Sequence, residues 1–302
     1  MQIAPVFTRR VLAGTAANLD VVIADQDGEP VSTTNGAVIT VDITQGNGTV
    51  LVDDGATSTN GFANTNGTYR YALSAANNTT TNLLTATFNA TNTVATAVFE
   101  AVGGFYFSAV AAREFDSSIT TTNFPNATVR QYRDIVETEC EWITGTAWVP
   151  RYKRLRVDGS GNGTLNLPVW NPRSVRSVRH YTSATAYTEL SADELAALEV
   201  KEWGRLSRLD GGVFTAGANN VVVEVEHGYD RPPADLREAT LKRLRYLLNN
   251  VKSGIPDRAT SFTVSDVGVF SISTPGQRGA WTGIPEVDAV YDRYSVKRPV
   301  VV

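Results

Sequence analysis

Nowhere in residues 1–103 do apolar side chains recur at helical spacing. The stretch is instead a series of short β-branched runs, each closed by Gly, Asn or Asp. Leu19, Val21 and Ile23 alternate ahead of a turn at Asp25–Pro30. Val38–Ile43 ends at Gly46-Asn47-Gly48, and Thr49–Val52 leads into Asp53-Asp54-Gly55. Gly67–Leu73, Leu83–Phe88 and Val94–Val102 complete the set. Short strands at this spacing bury a core by stacking one sheet on another, so residues 1–103 are expected to form an all-β sandwich.

The pattern changes at Gly103-Gly104. Residues 104–123 read as a linker and the start of a second domain, with a polar connector at Asp116–Thr122. Val129, Tyr132, Val136, Cys140 and Ile143 then share one face at 3–4 spacing, which predicts a helix over 126–144. Asn123 or Asn126 is expected to cap it, and Gly145 to end it. Residues 150–228 return to strands, with Arg151–Asp158 and Gly163–Leu167 flanking a glycine turn, followed by Ser174–Thr182 and Val221–Glu226. Ser191–Leu198 reads as one helical turn or two. A second long helix spans 233–252, with Leu236, Thr240, Leu244, Leu247, Leu248 and Val251 on its apolar face. The phrase small-Gly-Ile-Pro-acid occurs twice, at Ser253–Asp257 and at Thr282–Glu286. Gly stops an element, Pro suits the first helical position, and the acid complements the helix dipole. The second copy therefore opens a short helix at Pro285, with Val287, Val290, Tyr291 and Tyr294 on one side, followed by a tail to residue 302. The expected fold class is multidomain: a β-sandwich, then an α+β domain (124–302) with a small helical core and an inserted antiparallel sheet.

Composition narrows the function. The 302 residues carry a net charge of -4, which argues against an obligate polyanion binder. The charge is uneven: residues 1–112 hold three basic and eight acidic side chains, and the remainder is close to balance. No apolar run approaches the ~18 residues that span a bilayer, so no membrane partner is expected. A single cysteine, Cys140, excludes an intrachain disulfide framework. Arg9-Arg10 with Val11–Ala17 resembles a twin-arginine export signal, but Asn18 and Asp20 cut its apolar region short.

Catalytic signals are sparse. Neither His180 nor His227 has a Cys, His or acid at metal-ligand spacing. Cys140 falls on the core face of its helix, where a thiol is inert. Asp25-Gln26-Asp27-Gly28 opens like a calcium loop, but Gly36 stands where the bidentate Glu belongs. Gly159–Gly163 lacks the Lys-Ser/Thr of a phosphate loop. No triad or cofactor fingerprint occurs, and neither enzyme activity nor a cofactor is expected. The cation clusters are Arg151, Lys153, Arg154 and Arg156, then Arg173, Arg176 and Arg179. They mark either a solvated or subunit-facing sheet surface or a contact for passing nucleic acid.

Two resemblances add to this reading. Val21–Val31, V-x-I-x-D-x-D-G-x-P-V, is similar to bacterial and phage immunoglobulin-like domains, over about residues 17–103. Four later phrases, in this order, resemble the head–tail connector (adaptor) proteins of long-tailed bacteriophages. They are Val136–Arg151 (VETECEWITGTAWVPR), Glu226–Ala234 (EHGYDRPPA), Gly254–Thr260 (GIPDRAT) and Thr282–Val290 (TGIPEVDAV). The connector resemblance covers about residues 105–296. It implies a structural virion protein, placed in the phage neck and, during assembly, in the host cytoplasm. Such proteins form a ring, usually of twelve subunits, between the portal and the next neck or tail-terminator component. The ring lines the channel, and double-stranded DNA passes without sequence-specific binding. The immunoglobulin-like module would then be an outward decoration. In related connectors the C-terminal region contacts the portal, which here points to Tyr294, Lys297, Arg298, Val300, Val301 and Val302. A reading from another class, a bacterial surface adhesin or carbohydrate-binding protein, would need a signal peptide and a wall anchor that the sequence does not display.

Overall fold

The structure is a computed structural model describing residues 9–23, 39–57, 68–90, 93–250, 261–264, 268–271 and 281–296. The turn at Asp25–Pro30, Val251, the phrase at Gly254–Thr260 and the tail from Lys297 lie outside these described residues. What is described is mixed and strand-rich, with five α-helices and several sheets.

The N-terminal strands are β1 (Arg9–Leu12), β2 (Ala17–Val22), β3 (Thr40–Gln45), β4 (Val50–Ala56), β5 (Thr68–Leu73), β6 (Asn82–Ala90) and β7 (Thr93–Val102). Five of them make one sheet in the order β1-β7-β6-β3-β4, and β2 pairs with β5 in a second. Leu19 and Val21 from β2, Tyr69 and Leu73 from β5, Val41 and Ile43 from β3, and Leu84, Phe88 and Phe99 from β6 and β7 share one buried core. The alternation in sequence is thus the alternation of side chains into and out of this core. The twin-arginine segment is strand β1, parallel to β7 with Arg9 opposite Phe99. Arg10 there reaches Glu100 at 3.0 Å.

Two helices follow, α1 (Ala109–Phe115) and α2 (Asn126–Thr144). A β-rich stretch comes next: β8 (Arg151–Gly159), β9 (Thr164–Asn166), β10 (Pro172–Tyr181), β11 (Tyr187–Glu189), α3 (Ala192–Ala196), β12 (Leu198–Val200), β13 (Arg205–Arg208) and β14 (Gly217–His227). The strands flanking the glycine turn do not pair with one another. β8 joins the sheet β11-β10-β14-β8, whereas β9 joins β12-β13-β9. One face of the larger sheet buries Leu155, Val178, Val221, Val223 and Val225 against Leu165, Leu206 and Phe214. The chain continues with α4 (Ala234–Asn250), a hairpin of β15 (Ser261–Val264) and β16 (Gly268–Ser271), and α5 (Pro285–Arg293).

These elements form two compact units, and neither is one continuous stretch: residues 1–104 with 149–230, and residues 105–148 with 231–302. The β-rich insertion thus groups with the N-terminal strands and not with the helices that flank it in sequence. The contacts explain why. Tyr152 packs on Gly46, where any Cβ would stand 2.8 Å from its ring. Arg176 donates to the Thr81 hydroxyl at 2.6 Å and to Glu226 at 2.9 Å, and Thr81 donates to the same carboxylate. The Gly103 N–H donates to the Pro150 carbonyl at 2.9 Å.

The helical unit follows its sequence signals closely. α2 buries Val129, Val136, Cys140 and Ile143, as its period predicts, and ends at Gly145 in the left-handed conformation (φ 74°). Its start departs from expectation: Pro125 occupies the cap position and no side chain caps the helix. α5 opens at Pro285, with Glu286 and Asp288 in its first turn and Val287 and Tyr291 buried.

Candidate functional site

Residues from two of the four connector-like phrases, Val136–Arg151 and Thr282–Val290, meet in the helical unit around a buried arginine. Arg243 of α4 donates to both carboxylate oxygens of Glu139 on α2, each at 2.8 Å, and to the Thr282 carbonyl at 3.1 Å. Thr282 in turn donates from its N–H and its hydroxyl to Asp288, both at 2.8 Å, which ties the turn to α5. One guanidinium fork therefore holds α2, α4 and the start of α5. Cys140 and Tyr291 lie beside it, and burial pushes both the thiol and the phenol well above their ordinary pKa values. That is the setting of an inert thiol.

Tyr294, expected to face a partner, is half-buried and engaged within its own unit. Its hydroxyl donates to Asp235 at 2.7 Å and its ring meets Trp148 edge-on at 5.3 Å. The hydrogen bond holds Asp235 below the usual carboxylate range and the phenol above its own. The Val296 N–H then donates to the Thr144 carbonyl at 2.8 Å, which sets Val296 beside the end of α2. Lys297, Arg298, Val300, Val301 and Val302 lie outside the described residues.

The basic run on β8 is not a uniform cationic surface. Arg151 is buried near Glu100 and the Gly104 carbonyl. Lys153, Arg154 and Arg156 are exposed; Arg154 lies 3.4 Å from the Gly46 carbonyl, and Arg156 stacks over Tyr181. Register sets Arg154 opposite Glu224, a buried carboxylate on β14. Burial and this carboxylate push the Tyr152 phenol up. The later cations are paired: Arg173 with Glu226 and Asp230, Arg176 with Glu226, and Arg179 with Glu189. Acids interleaved on the same sheet thus take up much of the positive charge.

The two histidines are apart in the fold. His180 sits near the end of β10 against Phe214, and burial, helped by Arg208, holds it below its ordinary pKa. His227 ends β14. Among the described residues no three His, Cys, Asp or Glu side chains stand close enough to hold a metal ion.

Sequence reasoning missed Arg243, although its place three residues after Thr240 sets it on the apolar face of α4. It also missed an exposed aromatic group and a cleft. Trp142 and Trp281 stand edge to face at 5.5 Å. The cleft, about 470 Å³, is lined by Phe105, Tyr106, Pro232 and Pro233 between Arg231 and Arg237.

No family model and no curated protein matches the chain. Among solved structures, it is similar to a chain of the neck of the empty gene transfer agent (GTA) particle computed with C6 symmetry. That match has TM-score 0.42 and 15% identity, over 65% of this chain and 93% of the other. It is similar to a chain of the virion of the native GTA particle, with TM-score 0.44 and 15% identity over 65% and 93%. A chain of the neck of the native GTA particle computed with C12 symmetry gives TM-score 0.41 and 16% identity over 66% and 97%.

Proposed function

We propose that this chain is a structural component of the neck of a tailed-phage-type particle. Copies of it form a ring, of twelve in the family it resembles, that joins the portal to the tail-side neck components and lines the DNA exit channel. One observation carries the reading. Two of the phrases that resemble connector proteins, Val136–Arg151 and Thr282–Val290, lie far apart in sequence, and the fold joins them: Glu139 and Thr282 share the Arg243 fork, and Trp148 meets Tyr294 at the end of the helix that the second phrase opens. A resemblance by chance would not be expected to converge on one packed unit. The N-terminal β-sandwich, of immunoglobulin-like type in this proposal, would face outward. The tail beyond Val296 would dock on the portal through strand addition by its valines, with Lys297 and Arg298 adding charge complementarity.

Negative-stain imaging of the full chain, alone and mixed with portal rings, tests the proposal. Rings of connector dimensions, or decorated portals, are expected. A chain that stays monomeric and ignores portals would refute it. Deletion of residues 297–302 should leave a normal melting transition and abolish portal capture; capture at the wild-type level would move the docking surface elsewhere.

A further inference from the structure

The helical unit leaves a cluster of aromatic side chains in water. Trp142 is 68% exposed, Trp281 46% and Tyr246 38%. They surround the Arg243–Glu139 pair. Trp142 follows Glu139 by three residues on α2, Trp281 precedes Thr282, and the Arg243 guanidinium lies 5.7 Å from the Tyr246 ring. Trp, Tyr and Arg are the residues that dominate binding energy at protein contacts, and two adjoining exposed indoles are a costly surface for a lone chain. The underlying ion pair and the edge-to-face packing hold the indoles in place, so little entropy remains to be lost on docking.

The same unit carries a receptor of matching character. The cleft has an apolar floor of Phe105, Tyr106, Pro232 and Pro233. Arg133 stacks on Phe105 at 3.3 Å, and Tyr106 is fixed by Glu137. Arg231 and Arg237 also line it and are exposed, and neither has an ion-pair partner among the described residues. Flat apolar walls with two unpaired guanidinium groups suit an indole edged by carboxylates. The aromatic patch offers that combination through Glu286, 75% exposed and shared with Lys242, which opens α5 close by, whereas both oxygens of Glu139 are taken by Arg243. The two features face different ways. Tyr106 meets α2 at Glu137 and Glu141, whereas Glu139 and Trp142 lie on the other side of that helix. A chain cannot close the one on the other by itself.

We propose that the Trp142–Trp281 patch of one copy seats in the Phe105–Pro233 cleft of the next. Because patch and cleft are different surfaces, the contact is heterologous: it adds copies head to tail and closes into a ring when the rotation per copy divides the circle. The inference rests on the neck reading above and supplies the ring with its repeating contact.

Two variants of the full chain test it, W142A/W281A and R231E/R237E, with assembly followed by mass photometry and negative stain. Each should keep the wild-type melting transition and weaken self-association by at least about 30-fold. Mixed in equal amounts they should stop at heterodimers, because each pair retains one intact patch and one intact cleft. If W142A/W281A melts early, the single W142A, at the more exposed indole, carries the test. Rings from the patch variant at wild-type concentrations, or a mixture that forms no heterodimer, would overturn the contact and leave the neck reading standing. A wild type that never assembles, alone or on portals, would remove the neck reading and the contact with it.

Discussion

Replacing Arg243 with methionine should unfold the helical unit well below the temperature at which the wild type melts. The guanidinium makes two 2.8 Å bonds to Glu139 and one of 3.1 Å to the Thr282 carbonyl, with the arginine side chain only 9% exposed. Removing one partner of a buried pair costs about 3–5 kcal/mol, because the other charge is left desolvated. Glu139 is 23% exposed and can recover part of its hydration, so about 3 kcal/mol is expected. For a unit of this size that is a fall of roughly 6–12 °C. Lysine at the position keeps the charge but loses the fork and should fall between the two. Adding Glu139→Gln to Arg243→Met removes the stranded charge and should recover part of the loss, a coupling that a double-mutant cycle reads directly. Fluorescence is the appropriate probe, since three of the five tryptophans, Trp142, Trp148 and Trp281, belong to this unit. If Arg243→Met shifts the transition by less than about 2 °C, the claim that this pair clasps the three helices is wrong.

Three further outcomes are expected. Arg176→Ala should destabilise the β unit by about 1–3 kcal/mol, since Glu226 and Thr81 lose their shared donor, and a chain starting at Phe105 should lose its cooperative β transition; a soluble, cooperatively melting truncation would show that residues 1–104 are separable. Tyr294→Phe should lower stability between roughly pH 4 and pH 10, with the deficit fading as pH falls through the depressed Asp235 pKa and again as it rises through the raised Tyr294 pKa. A deficit that is the same at pH 2 as at pH 7 would refute the assignment of this bond. Arg154→Glu with Arg156→Glu should reduce the salt slope of DNA retention by no more than about 2, because Arg173, Arg176 and Arg179 are already paired with carboxylates; a larger fall would mean the β8 face binds phosphates as a set.

What the sequence conveyed well was local and periodic. α2 begins and ends where its 3–4 spacing and Gly145 place it, and α5 opens at the proline that suits a first helical position. Four strands of the insertion, β8, β9, β10 and β14, were legible from β-branched runs beside turns, whereas the three- and four-residue β11, β12 and β13 were too short to show a pattern. α1 was not, because its seven residues span only two turns and its one clear signal is the Ser108 cap. β1 was not, because its pairing partner lies some 90 residues away in β7.

The larger surprise is where the insertion belongs, and its cause lies in non-local pairing. Gly159–Gly163 joins β8 to β9 in sequence, which suggests neighbours, yet β8 takes β14 as its partner. β8 residues are thereby fixed by a strand about 60 to 75 residues further on. Turn chemistry carries no information about such a choice. Once β8 and β14 are paired, Tyr152, Arg154 and Glu226 share the face on which Gly46 and Thr81 stand, so the N-terminal strands cover it. The charges that the sequence left open between a solvated or subunit-facing surface and a nucleic-acid contact are in part the fastening between two β regions. The candidate contact surfaces were hidden for a related reason. Trp142 and Trp281 are 139 residues apart, and Phe105 is more than 120 residues from Pro233. Packing of α2, α4 and the start of α5 around Arg243 brings Trp142 to Trp281, and Phe105 meets Pro233 where the chain enters α4, so neither pair is visible in the local pattern.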